Sequence, residues 1–145
     1  MSIMPQLGCN PYRGRTETIW CCGCGKHVGA RLTNGAEIYP TRPDLHKLPF
    51  WRCPFCKNHV GCHHKSKNPT TPLGSIPTPQ LRALRKEIHA RLDPLWQSGI
   101  IERKALYALL SKQLGRQYHT AEINSHIEAE LIFAALHRIA PSDFP

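Results

Sequence analysis

The sequence has no long apolar run. Hydrophobic residues make up 41% of the 145 and mean hydropathy is −0.39, so no helix of membrane-spanning length is expected. Acidic residues are scarce: ten Asp and Glu stand against 19 Lys and Arg, a net charge of +9 with His neutral. The opening stretch, MSIMPQLGCNPYRGR, lacks the charged start and apolar middle of a signal peptide. The expectation is a cytoplasmic protein, held in a reducing environment. There is no Gly-rich phosphate loop and no G-x-S-x-G elbow, which removes two common enzyme classes. Gly and Pro are not lacking. Ten and 13 are present, mostly in the first 80 residues, and they exclude an all-helical bundle.

What is present is cysteine. Cys9, Cys21, Cys22, Cys24, Cys53, Cys56 and Cys62 form an odd set, which argues against a disulfide framework. Cys21-x-x-Cys24 and Cys53-x-x-Cys56 are paired thiol sites separated by 28 residues. Each C-x-x-C turn sets two sulfurs on one side of a tight loop, and two such loops supply the four ligands of a closed structural Zn²⁺ site. One structural zinc is therefore expected on Cys21, Cys24, Cys53 and Cys56. Gly25 permits positive φ after the first pair, and Pro54 tightens the second loop. The run CCGCG also offers Cys22, and Cys62, His63, His64, His59 and His27 lie nearby. These are read as a buried thiol or surface histidines, with a second site from Cys62, His63 and His119 as the alternative.

Four regions follow along the chain. Residues 1–16 read as an irregular arm, 17–66 as a zinc ribbon, 67–78 as a proline-rich connector and 79–140 as a three-helix unit. In the ribbon, VGARLT and AEIYP flank Asn34-Gly35, a strong hairpin signal. PFWRC enters the second thiol loop as a strand and NHVGC leaves it. So small a sheet buries little, and structural zinc contributes about 10–16 kcal/mol of apparent binding energy in such modules. Thr78-Pro79 caps a helix with Leu81, Leu84, Ile88, Leu92 and Leu95 inward, with Asp93-Pro94 placed to kink or restart it. A second helix, from about Glu102 to Leu114, turns Leu106, Leu109, Leu110 and Leu114 inward, and Gly115 stops it. A third, from about Ser125 to Ile139, turns Ile127, Leu131, Ala134, Ala135 and Ile139 inward. The expected class is α+β: zinc-ribbon hairpins docked on a three-helix unit.

The order CCGCG, FWRCPFC, HVGCH, PLGS, LRALRKEIHARLDPLWQSG and ALYALLSKQLG resembles a zinc-finger-containing family of small proteins from tailed bacteriophages and bacteria. The resemblance spans roughly residues 19–139. It implies that Cys21, Cys24, Cys53 and Cys56 stand at the family's ligand pairs and that Cys62 and His63 match its VGCH run. It implies an architecture and a place in the cytoplasm of a bacterial or phage-infected host cell, and supplies no activity.

Charge suggests a use. Residues 1–72 hold ten Lys/Arg and three Asp/Glu, whereas residues 73–145 hold nine and seven. A basic module beside a nearly neutral one suits an anionic partner, nucleic acid first. In the ribbon, Arg42, Lys47, Arg52, Lys57, Lys65 and Lys67 are interleaved with Tyr39, Phe50, Trp51 and Phe55. On the first helix, Arg82, Arg85, Lys86 and His89 form a stripe suited to phosphate contacts. The leading expectation is a non-enzymatic zinc protein that binds nucleic acid. The alternative is a phage-type module that binds or inhibits a host protein complex, such as RNA polymerase or defence machinery. No membrane and no small-molecule substrate is implied. Four cysteines close the zinc, and no spaced His/Asn set for a metal nuclease follows His63 and His64, so turnover is not expected.

Overall fold

A computed structural model describes residues 11–140, and Cys9 and most of the expected N-terminal arm lie outside them. The chain divides into two compact units at Pro77/Thr78. The class is α+β, with an antiparallel sheet in the first unit and helices in the second.

In the first unit the strands β1 (Thr16–Cys21), β2 (Lys26–Asn34), β3 (Pro49–Arg52) and β4 (His59–Gly61) form one sheet in that order. Every neighbour is antiparallel. The first hairpin closes around the CCGCG loop, pairing Ile19 with Val28 and Cys21 with Lys26. The hairpin expected at Asn34-Gly35 does not form. Gly35 instead opens a single helical turn, α1 (Gly35–Ile38), and the Asn34 side chain accepts from the Glu37 N–H as its N-cap. Gly35 is needed there for room, because a Cβ would collide with the Leu45 carbonyl. A 3₁₀ turn at Pro43–Leu45 then leads to β3.

Alternation along the strands separates two faces. Ile19, Cys21, Val28, Ala30, Leu32, Trp51, Cys53 and Val60 are buried together with Cys62 and Ile76. Residues 67–77, all but the last of the expected 67–78 connector, fold as part of this unit. The Trp51 indole N–H donates to the Thr70 carbonyl at 2.7 Å. Ile76 bridges to Cys21 at the sheet edge, donating to the Trp20 carbonyl and accepting from the Cys22 N–H. On the other face, Tyr39 packs edge-on against Phe50 and His59, and Glu37 accepts from Arg31, Arg52 and Thr33.

The second unit holds α2 (Pro79–Gln97), α3 (Arg103–Leu114) and α4 (His126–Ile139), with a 3₁₀ turn at Thr120–Glu122. Thr78 caps α2 and Ser125 caps α4 through their side chains. Helix α2 continues through Pro94 without interruption in its assigned span, and Gly99 follows its end at φ +84°. Its buried residues are Leu81, Arg85, Ile88, Leu92 and Leu95, a four-three alternation with an arginine inside the apolar seam. Leu84 packs at the core margin.

Two expected helix faces are corrected. On α3, Leu106 and Leu110 are buried but Leu109 is exposed. On α4 the buried set is Ala129, Ile132, Ala135 and Leu136, while Ile127 is 72% exposed and Leu131 is exposed too. This helix is apolar around most of its circumference, so hydrophobic period alone does not select a face. Glu128 helps fix the orientation. Its carboxylate accepts from the Asn124 N–H and pairs with Arg116 at 2.8 Å.

Candidate metal centre

The two C-x-x-C loops lie at the end of the sheet where β1 meets β2 and where β3 leaves for β4. They repeat one backbone device. The Gly25 N–H donates to the Cys21 carbonyl at 2.8 Å, and the Lys57 N–H donates to the Cys53 carbonyl at 3.1 Å. Gly25 and Lys57 both have φ +68°. Each loop thereby folds its second thiol back toward its first, and the sheet brings the two loops together.

The four sulfurs of Cys21, Cys24, Cys53 and Cys56 all lie within 4.8 Å of one another. Cys21 and Cys56 are 3.4 Å apart, and Cys24 and Cys53 are 3.7 Å apart. A disulfide requires about 2.0 Å. A tetrahedron of sulfurs at about 2.3 Å from zinc has edges of about 3.8 Å, so the spacing suits one Zn²⁺. Cys21 and Cys53 are buried and Cys56 is exposed.

Proton affinities within the cluster fit such a cation. Burial, aided by the neighbouring thiols, raises Cys21 well above the ordinary thiol range. Burial first, then Cys53, raises Cys24. At Cys53 burial also pushes upward, but the backbone N–H groups of Cys56 and Phe55, together with the Cys56 and Cys24 thiols, outweigh it and bring the thiol down to about 7. The Phe55 N–H stands 3.4 Å from its sulfur. One thiolate thus forms more readily, while Cys21 and Cys24 hold their protons more tightly, and a bound cation would displace those protons. Bound there, zinc would supply a closed structural cross-link rather than an open Lewis-acid position.

The other two described thiols stand apart. The Cys22 sulfur faces the Ser75 hydroxyl at 3.7 Å. Cys62 is buried in the first core, and burial raises its thiol to about 12. Cys62, His63, His64, Lys65 and Ser66 line an open depression of about 370 Å³. His119 is exposed at the start of the 3₁₀ turn in the second unit. Among the described residues, no second group of three or more His, Cys, Asp or Glu gathers for a metal.

The residues expected at a nucleic-acid surface are placed unevenly. Lys47, Lys57, Lys65 and Lys67 are exposed. Arg42 pairs with Asp44 at 2.7 Å and Arg52 with Glu37 at 2.6 Å. On α2, Lys86 is exposed and Arg82 half-buried, while His89 lies 3.4 Å from Asp93. Arg85 is unavailable to a phosphate. Only 8% exposed, its Nε and Nη2 donate to the Ile123 carbonyl at 3.1 and 2.9 Å. Of the aromatics, Trp51 is 1% exposed and Phe50 is buried, whereas Phe55, at the tip of the second thiol loop, is 65% exposed. Sequence reasoning missed Lys26, whose ammonium lies 4.9 Å from the Phe55 ring centroid. The signal was its position immediately after CCGCG, within reach of the other knuckle once the two loops meet.

Comparison with known proteins agrees with this centre. A family described as a zinc-finger-containing domain matches residues 17–139. No curated protein and no solved structure matches the chain.

Proposed function

Since the chain belongs to the family of zinc-finger-containing domains, we propose that its zinc is structural and that its first unit binds nucleic acid without turnover. The ion-pair pattern carries this reading. In the first unit Glu37 and Asp44 engage Arg31, Arg52 and Arg42. Lys26, Lys47, Lys57, Lys65, Lys67, Arg13 and Arg15 make no ion pair among the described residues. Zinc on four thiolates carries a net −2, which leaves a unit of ten cationic and three acidic side chains still basic. Such a surface holds a phosphate backbone by releasing its counterions.

The test is the retention of fluorescent polynucleotides by the zinc-loaded protein as salt rises. The expected result is a linear fall of log affinity with log salt, at about 0.7–0.9 per phosphate neutralised. No retention on DNA or RNA at low salt refutes it. One observation favours a second reading. Ile127 and Leu131 leave an apolar strip exposed on α4, a feature suited to a protein partner and not to phosphate. A stoichiometric complex that I127E/L131E abolishes, without nucleic-acid binding in the same preparation, supports that alternative.

A further inference from the structure

We infer that the thiol-loop end of the sheet recognises unpaired nucleobases, so that the polynucleotide it prefers is single-stranded. This rests on the nucleic-acid reading above and narrows it. Two observations meet at one end of the first unit. Phe55 projects from the tip of the second knuckle, 65% exposed, and its ring carries the Lys26 ammonium at 4.9 Å. Lys57, two residues on, folds back so that its ammonium donates to the Pro54 carbonyl at 3.0 Å, which sets a second cation along the same loop.

The chemistry of this group selects its ligand. An exposed ring with the Lys26 ammonium over one face leaves its other face for a base, and Lys26 and Lys57 supply cations for the flanking phosphates. In a duplex the base faces are already stacked on one another and closed to a side chain. In a single strand they are free. The zinc makes the platform rigid, because Phe55 lies between Cys53 and Cys56 and Lys26 is paired with Cys21. Lys57 adds a second argument. It holds φ +68°, a conformation that costs little for glycine and more for lysine. Backbone geometry alone would favour glycine there, as at Gly25 in the companion knuckle.

The experiment uses the whole zinc-loaded protein and labelled probes of equal length: oligothymidylate, oligouridylate and a mixed-sequence DNA duplex. Anisotropy titrations at one salt concentration compare wild type with F55A and F55W. The expected result is that single strands bind about tenfold or more tighter than duplex. F55A removes most of that difference and leaves duplex affinity unchanged, whereas F55W restores it. Zinc content and a thermal melt of F55A check that the fold is intact, as expected for so exposed a side chain. Equal affinity for single strand and duplex, unaltered in F55A, overturns this inference and leaves the nucleic-acid reading standing. Absence of binding to all three probes overturns both.

Discussion

Gly25 and Lys57 occupy the same place in two successive thiol loops. Each follows the second cysteine of its pair, holds φ +68° and donates its N–H to the carbonyl of the first cysteine. Replacing Lys57 with Gly relieves a left-handed lysine. K57G should therefore retain zinc and be as stable as wild type or more so, by up to about 1 kcal/mol. A β-branched residue is worse suited to that φ, so K57V should lose about 1–2 kcal/mol. Thermal melts of the zinc-loaded variants check both, and a clear loss of stability in K57G would contradict the assignment.

The six described thiols divide into ligands and bystanders. Cys22 faces Ser75, and Cys62 lies in the core with its thiol raised to about 12. C22S and C62S should each keep one zinc per chain, measured by release to a chromogenic chelator. C21S, C24S, C53S and C56S should each bind zinc more weakly and melt at a lower temperature. Loss of metal from C22S with retention in C21S would reassign the first loop.

Arg85 is a core residue of the second unit. Its two donors satisfy the Ile123 carbonyl just before α4, which ties α2 to the turn ahead of that helix. R85M keeps the aliphatic length but leaves the carbonyl without those donors, at a cost of about 2–3 kcal/mol. R85K should recover little of this, because one ammonium does not reproduce the guanidinium fork. Urea unfolding measures both losses. Nucleic-acid affinity assigned to the first unit should be unchanged while the variants remain folded, and a specific fall in affinity would return Arg85 to the binding surface.

Glu37 gives the first unit an acid limb. The Arg31 guanidinium, with Thr33 and Arg52, lowers its carboxyl from 4.5 to about 2. A lowered folded pKa contributes stability above the ordinary carboxyl value, and that contribution is lost as pH falls from about 4.5 through 2. Thiolate protonation releases zinc in acid as well, so the informative quantity is the difference between wild type and E37Q. E37Q should be less stable at pH 7 by about 1–2 kcal/mol after allowance for solvent screening. That gap should narrow toward pH 2. A gap that stays constant with pH would show that Glu37 acts by packing alone.

Much of this was legible in the residues. The two C-x-x-C pairs, the strands on either side of the second, Thr78-Pro79 and Ser125 all carry local signals that tertiary packing leaves in place. Asn34-Gly35 misled because its two residues serve other needs, a side-chain cap and a close approach to the Leu45 carbonyl. The hairpin formed instead across the thiol loop. Ile127 and Leu131 misled because α4 has more apolar positions than its core can take. Charge alone places Arg85 on the surface stripe, whereas its position in the four-three seam, between Leu81 and Ile88, sets it in the core. The convergence of Lys26 on Phe55 depends on two distant loops meeting, and no local pattern encodes that contact.

The account depends on one ion joining two loops. X-ray absorption at the zinc edge, together with elemental analysis of the purified full-length protein, tests this most directly. The expected result is one zinc per chain with four sulfur neighbours at about 2.3 Å. A zinc-free folded protein, a shell containing nitrogen or oxygen, or cysteines paired as disulfides would contradict it.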